Sequence, residues 1–493
     1  MKKVIIIGGG ISGLTAGICA QRNGFETEIY EKNAMMGGEC TGWDRQGYHI
    51  DNCLHWLTGC REDDDLNKIW KNIGVLTDDT ELYYEPCFYM LEMDGKKLHF
   101  WRDLEKARAE FLALAPEDSE ELNKFFDNVR NAESVRVPCE KSMAEMSMME
   151  TIRFGMTMAA AGRMIMEYGK DSIADLANRF KNPMVRQMMS QYLDPGYKAI
   201  TLITSYAFYT SNNGALPMGG SVGMVNRIVE RYRSLGGVVH TGMTAQSIDV
   251  QKGKAVSVTF ADGTVASCDY VICAADPSVT FGKLLDRKYM DKAMRRMYDR
   301  SADYQVTSGF NVSFGIKGDT DCGIEGSVIF PCEPIRIGTQ DKSFMGVRMY
   351  DYDSGLFPAA RRVIQCNTLQ SEKDYDFWQE LYKDREKYNA EKQRIADETQ
   401  ARIVAKYPQL EGRLVQLCTY SPVTFTKWCG AYKGAYMSFF ERAGAKSLTA
   451  KNTLRKLCNV FICSQWITTN GGLPTAAASG KFAADALIAR DRK

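Results

Sequence analysis

The stretch VIIIGGGISGLTAGICA, residues 4–20, decides the fold of this chain. Its β-branched run at residues 4–7 is typical of a buried strand. The glycines that follow fit the spacing G-x-G-x-x-G, and residues 14–22 continue as a helix. A second strand, in TEIYEK, ends at Glu31. This order predicts a dinucleotide-binding cradle rather than an isolated tight turn: a strand, a glycine turn, a helix, a second strand and an acid.

Each glycine of this cradle has a physical role. Gly8 permits the tight turn, Gly10 lets the backbone approach a pyrophosphate, and Gly13 lets the helix pack on the strand. The helix begins near Ile11 and Ser12, where free N–H groups and a partial positive charge attract phosphates. We therefore expect the diphosphate of a dinucleotide at this helix start.

The acid at the end of the second strand predicts a ribose contact. Glu31 can accept hydrogen bonds from the ribose hydroxyls, and its neighbour Lys32 is assigned to the same site. The paired glycines Gly37 and Gly38 follow, and the segment resembles the second signature of flavoproteins with two dinucleotide-binding domains. In that superfamily the pair lies against FAD, and many amine-oxidase-like members carry Arg next. Glu39 stands there in this chain.

Composition is that of an ordinary globular protein of two or three domains. The chain has 493 residues, 45% hydrophobic and 25% charged, with a formal net charge of +1. This balance gives no reason to expect a nucleic-acid partner. The 15 cysteines lack disulfide or zinc spacing, so we expect a reducing, cytoplasmic setting and no metal.

The first residues have two interpretations. A basic start followed by uncharged residues as far as Gln21 resembles a secretory leader. A buried parallel strand with a glycine turn and a helix explains the same residues. Five glycines in the stretch favour the strand, because the apolar segment of a leader rarely needs them.

Residues 217–280 form a second block of recognisable order. A helix at 222–235 precedes strands at 238–240 and 246–250, and a hairpin is expected from 256–260 and 265–270. The segment DYVICAADP resembles the superfamily strand that ends in small residues beside the dinucleotide. The resemblance implies cofactor contacts at Ala274 and, through its backbone, at Ala245.

Between these blocks the chain looks mostly helical, with apolar residues three or four apart in 103–190. Residues 143–166 contain 8 of the 25 methionines. They predict either a helix packed in a core or a flexible apolar portal for a hydrophobic substrate. The aromatic residues that follow either wall a pocket or belong to the core; they are Tyr192, Tyr197, Tyr206, Phe208 and Tyr209. Residues 371–406 predict one or two charged surface helices.

Near the end, SQWITTNGGLP (464–474) follows an apolar strand and precedes small residues, which predicts strand, glycine turn and helix. Gly471 and Gly472 permit a close approach, and Pro474, after Leu473, suits a first helical turn. Such a helix start stabilises the negative charge that a flavin acquires on reduction.

Residues 4–60, 215–280 and 420–490 together resemble the phytoene-desaturase-like and carotenoid isomerase-like branch of FAD-dependent oxidoreductases, within the amine-oxidase-like superfamily. The resemblance implies an α/β fold, α+β overall: a Rossmann-like FAD domain interleaved with a substrate domain of mixed sheet and helical cap. We expect the FAD domain at 1–60, 217–280 and 450–493, and the substrate domain at 61–216 and 281–449.

The resemblance also assigns individual residues. Many relatives have Gly-Asp at 464–465, with the Asp bound to FAD; Ser464 and Gln465 stand there, and some members of the branch look similar. A Gln can keep the contact without charge. The family places the loop before His55 near the isoalloxazine ring. His55 is therefore a candidate for proton transfer or substrate orientation, against a structural histidine.

The resemblance implies hydride transfer between flavin N5 and a C–C bond of a hydrophobic, isoprenoid or polyene substrate, by a desaturase or saturase. Three alternatives stay open: a polyene isomerase that needs reduced FAD, an FAD amine oxidase, and a lipid-binding escort of the GDP-dissociation-inhibitor type. Peripheral contact with the inner face of the membrane is a further possibility. Oligomeric state, substrate identity and redox direction do not follow from the sequence.

Overall fold

The computed structural model describes residues 1–319 and 321–492, which fold around two large sheets. The first has six strands, parallel except for the last pair. Its strands, from one edge to the other, are Val238–Thr241, Glu26–Glu31, Lys3–Ile7, Tyr270–Cys273, Leu457–Ile462 and Thr453–Leu454. The strand predicted at residues 4–7 therefore lies in the middle of this sheet, as a doubly wound fold requires.

Two helices that are distant in sequence pack together against this sheet. The helix Ile11–Gln21 contacts the last helix, Gly472–Asp491. Gly480 makes the close approach possible, because a Cβ atom built there would lie 2.3 Å from the carbonyl oxygen of Ser12. The glycine cradle is thus braced by a helix from the other end of the described chain.

The second sheet has seven strands and is mostly antiparallel. Its strands, from one edge to the other, are Leu414–Tyr420, Ser308–Ile316, Val363–Gln370, Gln340–Tyr350, Ser327–Ile337, Cys87–Met93 and Lys96–Trp101. One face packs against Glu372–Leu381 and Arg385–Lys406, the two charged helices that the sequence predicts. The other face is open to the interior of the protein.

Smaller sheets and a helical region complete the fold. The small sheets are Ala245–Gln251, Lys254–Phe260 and Val265–Ser267; Gly42–Arg45 and Tyr48–Asp51; Leu57–Thr58, Gly214–Pro217 and Leu82–Tyr83; Tyr304–Gln305 and Phe440–Glu441. The remaining helices of six or more residues are Asp65–Ile73, Leu104–Leu114, Ser119–Ala132, Met148–Thr157, Ala161–Tyr168, Ile173–Asn178, Pro183–Ser190, Ala199–Thr210, Gly220–Ser234, Lys292–Asp299 and Pro422–Cys429. Most of these helices come from the stretch predicted to be helical.

The structure corrects three details of the sequence analysis. Residues 265–270 do not form one hairpin strand: Val265–Ser267 closes the three-stranded sheet, and Tyr270 starts a strand of the six-stranded sheet. The final turn is longer than predicted, since a short 3₁₀ helix, Gln465–Ile467, precedes the last helix. The core interpretation of the methionine-rich segment is wrong for Met148–Thr157, which buries none of its residues.

The two large sheets draw on different parts of the sequence. Strands of the six-stranded sheet all come from the three segments assigned to the FAD domain, and strands of the seven-stranded sheet come from the other two. The domain boundaries themselves stay predictions. Among the helices of residues 1–319 and 321–492, none combines the length and apolar character needed to cross a bilayer.

Candidate active site

One large cavity runs from the glycine cradle to the open face of the seven-stranded sheet, with a volume of about 1890 Å³. A site for a single ligand commonly occupies 300–1,000 Å³, so there is room for a dinucleotide and a substrate. Every predicted site residue except Gly13 lines it. These residues are Gly8, Gly10, Ile11, Ser12, Glu31, Lys32, Gly37, Gly38, His55, Ala245, Ala274, Ser464, Gln465, Gly471, Gly472, Leu473 and Pro474.

The cradle has the form that its glycines predict. Gly8 has a φ of +110°, and a Cβ there would come within 3.0 Å of the Ala274 carbonyl oxygen. A Cβ on Gly13 would lie 2.1 Å from the carbonyl oxygen of Gly8, so Gly13 allows the helix to pack. At Gly10 the nearest protein atom would be 3.8 Å away, on Gly37. The backbone of Gly10 therefore borders open space of the kind a pyrophosphate needs, and the residues fit FAD.

Backbone N–H groups of the cradle hold the side chain of Glu31 in place. Its two carboxylate oxygens accept hydrogen bonds from the backbone N–H groups of Gly9, at 2.8 Å, and Asn33, at 2.9 Å. Each oxygen keeps a further lone pair for a ribose hydroxyl. Lys32 donates to the backbone carbonyl of Lys427 at 2.8 Å, and burial lowers the pKa of its ammonium group. Lys32 is thus held at the cavity wall.

The first backbone N–H group of the last helix has a hydrogen-bond partner within the protein. The N–H group of Gly472 donates to Oε1 of Gln465 at 2.9 Å. Gly471 and Gly472 have φ values of +29° and +86°, which favour glycine. Because Pro474 has no N–H group, Leu473 and Thr475 supply the next backbone donors at this helix start. The predicted contact of Gln465 with FAD stays a prediction; the structure gives its amide a partner within the protein.

That partner is Glu39, the residue that stands where many relatives carry Arg. Nε2 of Gln465 donates to Oε2 of Glu39 at 2.8 Å, and the thiol of Cys429 donates to Oε1 at 3.3 Å. Burial raises the pKa of Glu39 to about 8, and the nearby Asp276 carboxylate adds to the rise. Glu39 is therefore largely protonated at neutral pH, so this chain has an uncharged acid where many relatives carry Arg.

His55 faces the cavity beyond the cradle. Burial in the protein, reinforced by the positive charge of Arg348, lowers the pKa of its imidazole to about 3. Nη2 of Arg348 donates to the backbone carbonyl of His55 at 3.2 Å. The ring is neutral at physiological pH and is a weak base. With so low a pKa, the ring suits hydrogen bonding to a substrate better than removal of a proton.

Aromatic side chains wall the part of the cavity near His55. Of the aromatic residues that the sequence left open, Tyr192, Tyr197 and Phe208 line the cavity, and Tyr206 and Tyr209 are buried in the core. Other aromatic rings in the wall are Trp56, Phe88, Tyr89, Tyr350, Tyr420, Tyr436 and Phe440. The result is a chamber with flat apolar surfaces next to the cradle.

Sequence reasoning missed the polar side chains on the open face of the seven-stranded sheet. Arg348 is the most conspicuous, since its guanidinium group is only 12% exposed and pairs with Glu85 at 3.0 Å. The available signal was the alternation of apolar and polar residues in these strands, which ordinarily marks a face open to solvent.

Comparison with known proteins gives the same fold and cofactor class. Residues 11–319 match the family described as flavin containing amine oxidoreductases. A lycopene-forming phytoene desaturase of a Paracoccus species is 25% identical over 324 residues, 64% of this chain and 62% of its own length. A 1-hydroxycarotenoid 3,4-desaturase of a Flavobacterium species is 26% identical over 319 residues, 61% of this chain and 62% of its own length. The match thus spans less than two thirds of either desaturase.

Another relative is matched over its whole length. A 4,4'-diaponeurosporene oxygenase of Staphylococcus haemolyticus is 21% identical over 519 residues, 100% of this chain and 98% of that protein. Among solved structures, wild-type putrescine oxidase bound to putrescine has a TM-score of 0.63 at 15% identity, covering 99% of both chains. An oxidoreductase from Methanosarcina mazei has a TM-score of 0.61 at 15% identity, covering 97% of this chain and 98% of its own. At such identities the likeness concerns the fold alone.

Proposed function

The chain belongs to the flavin-containing amine oxidoreductase family, and on that premise we propose that this FAD-dependent oxidoreductase acts on a C–C bond of an extended unsaturated substrate, as a desaturase or saturase. The observation that carries the proposal is the single cavity of about 1890 Å³, which joins the dinucleotide cradle to an aromatic chamber. Since a pocket for one ligand commonly has about 300–1,000 Å³, the cavity can hold FAD and an extended substrate together.

We assign the cofactor to the cradle end of this cavity. Gly8 to Ser12 would hold the diphosphate, Glu31 the adenosine ribose, and the Gly472 helix start the flavin. A bound flavin supplies hydride transfer, and the protein supplies orientation and electrostatics. Leu473 and Thr475 direct their N–H groups into this end of the cavity, where they favour an oxygen that becomes negative.

The aromatic chamber supports an extended, conjugated substrate. Flat rings such as those of Trp56, Tyr192 and Phe440 offer apolar faces to a planar chain of carbon atoms. Carotenoid enzymes among the relatives, including two desaturases, agree with such a substrate. His55, with its neutral ring, would orient the substrate by a hydrogen bond.

The experiment is anaerobic incubation of the FAD-loaded protein with candidate polyenes. Bleaching of the flavin absorbance, with a product that has lost two hydrogens, is expected for a desaturase. A saturase would require flavin reduced beforehand and would give a product with two hydrogens more. A protein that takes up no FAD, or a flavin unaffected by polyenes in either redox state, would refute the proposal.

A second candidate, an FAD amine oxidase, is favoured by one observation. Aromatic rings, Trp56 and Tyr192 among them, line the cavity, and such rings can receive a cationic amine. Hydrogen peroxide release on an amine panel would identify this activity. Polyene isomerisation differs from both, because it requires reduced FAD and leaves the product mass unchanged. A purely lipid-binding escort does not fit a family of flavin enzymes.

A further inference from the structure

The seven-stranded sheet has two chemically different faces. Alternate residues of its central strands, such as Phe310, Val312 and Phe314, are at most 2% exposed and pack against the helices. Asn311, which lies between two of them, lines the cavity instead. Because side chains alternate across a strand, the polar positions of these strands form a coherent surface rather than scattered exceptions.

This cavity-facing surface is rich in groups that need hydrogen-bond partners. Asn311 lies opposite Asn367, and Arg348 lies opposite Gln365, in the register of the sheet. Lys342 lies farther along the strand of Arg348 and bonds to Oε1 of Gln340 at 2.7 Å. All five of these side chains line the cavity. Two of the five side chains are cations and three are amides, and none is an acid.

Arg348 is only partly satisfied by the protein. Its Nη1 donates to Oγ of Ser327 at 3.0 Å, and its Nη2 donates to Oε2 of Glu85 at 3.0 Å and to the His55 carbonyl. A guanidinium group has five N–H donors, so two remain. One is the buried Nε–H, which has no partner among the described residues, and the other is on Nη1. The ion pair with Glu85 holds the group in place without using all of it.

A hydrocarbon in the chamber would displace water from the unpartnered N–H groups of Arg348 and return no hydrogen bond, which is unfavourable. A substrate with an oxygen-bearing end avoids this cost. The positive charge on this surface favours an anionic end, because a hydrogen bond from a guanidinium group to a carboxylate is charge-assisted.

We propose that the substrate is an unsaturated carboxylic acid, with its carboxylate at Arg348 beside His55 and Asn367 and its carbon chain along the aromatic wall. The inference rests on the proposed function for the unsaturated part of the molecule. The anchor itself is a property of the sheet surface and can be measured without turnover.

The test uses the FAD-loaded protein and two probes with the same carbon chain, all-trans retinoic acid and all-trans retinol. Binding is followed by quenching of tryptophan fluorescence and by the shift of the flavin absorbance bands. We expect the acid to bind at least about tenfold more tightly than the alcohol. Equal affinities would overturn the proposal.

The double variant Arg348→Met/Glu85→Gln removes the ion pair as a unit, so that no unpaired charge is left buried. It should lose the preference for the acid and keep its affinity for the alcohol. Arg336→Gln is the matched control, because Arg336 lies on the same sheet but is exposed and pairs with Asp341. Retention of the preference in the double variant would refute the anchor.

Should the double variant fail to load FAD, Arg348→Lys keeps the charge and removes the guanidinium donors. A drop in acid affinity is then expected, and an unchanged value would overturn the proposal. Failure of the proposed function looks different: the preference for the acid would persist while no polyene acid gained or lost two hydrogens.

Discussion

Gln465 donates a hydrogen bond to Glu39 over 2.8 Å, although 426 positions separate them in the sequence. Both residues depart from the superfamily pattern, which has Arg and Asp at these places in many members. The two departures therefore meet in space. An amide and an acid that is protonated at neutral pH occupy these places, and the amide also fixes the start of the last helix through Gly472.

Replacing Gln465 should weaken FAD binding. In Gln465→Ala, Glu39 loses one of its two donors and keeps only Cys429, and the N–H group of Gly472 loses its acceptor, so both sides of the cofactor site relax. A lost hydrogen bond of this kind costs about 1–3 kcal/mol, and we expect a matching fall in FAD affinity. Equilibrium dialysis with flavin fluorescence measures it. Gln393→Ala, on the surface helix, serves as control, and equal affinities in both variants would contradict the role of Gln465.

FAD affinity should also depend on pH through Glu39. Its pKa of about 8 exceeds the ordinary carboxyl value of 4.5, so Glu39 is protonated in the folded protein at neutral pH and ionises as the pH rises through 8. Its other titratable neighbours, Cys429, Asp276 and Cys53, supply no positive charge. Ionised Glu39 repels the cofactor's phosphates, so we expect affinity to fall between about pH 7 and 9.

The isosteric variant Glu39→Gln provides the check on this assignment. It should bind FAD at neutral pH and lose the decline at high pH, since it cannot ionise. The same linkage acts on folding: between 4.5 and about 8 the folded protein holds a proton that the unfolded chain releases, so Glu39 lowers stability as pH rises in that window. If FAD affinity declined at high pH as steeply in Glu39→Gln as in the wild type, Glu39 would not be the source of that decline.

Two glycines of the cradle should respond differently to alanine. In Gly13→Ala the new methyl group would meet the Gly8 carbonyl oxygen at 2.1 Å, so we expect a large loss of thermal stability. In Gly10→Ala it would meet no protein atom within 3.8 Å, and the φ of −75° suits alanine. Gly10→Ala should therefore keep the Tm of the FAD-free protein and lose FAD affinity. Comparable Tm losses in both variants would contradict this account of the cradle.

His55 should not produce an ionisation in the activity profile near neutral pH. With a pKa of about 3 the imidazole is already neutral at pH 5. The dependence of kcat on pH should therefore show no ionisation of His55 above pH 5. His55→Asn keeps a hydrogen-bonding side chain and should raise KM more than it lowers kcat. A wild-type limb near pH 6.5 that disappears in the variant would instead establish proton transfer by His55.

The methionine-rich helices should bind membranes. Met148, Met156 and Met166 are 79%, 72% and 82% exposed, and Arg153 and Arg163 lie among them. Met143, just before these helices, lines the cavity. We propose that this surface contacts anionic lipid, and we expect flotation with phosphatidylglycerol vesicles and less with phosphatidylcholine.

Replacement of the three exposed methionines, Met148, Met156 and Met166, by serine should abolish flotation. Val265→Ser removes an apolar residue elsewhere that is 59% exposed, and it should leave flotation unchanged. Flotation that survives the triple replacement would contradict the proposal.

The sequence was most informative where chemistry and local structure coincide. The glycines at 8–13 are constrained by short-range geometry, and the structure shows the turn and the helix packing predicted for them, while the ribose contact of Glu31 stays a prediction. The amide of Gln465 was assigned to FAD, since no local pattern reveals a partner such as Glu39. Arg348 was missed for a similar reason: alternation in a strand identifies two faces but not what encloses the second one.

The bracing of the cradle by Gly480 against Ser12 has a consequence for biosynthesis. Residues 8–13 leave the ribosome early, but the helix that supports them and the turn at Gly471 follow only after more than four hundred further residues. Domains generally fold as units during synthesis. Here the nascent cradle still lacks the last helix and the turn at Gly471. Uptake of the flavin should therefore be one of the last events of maturation, and chains shortened before Gly471 should emerge colourless.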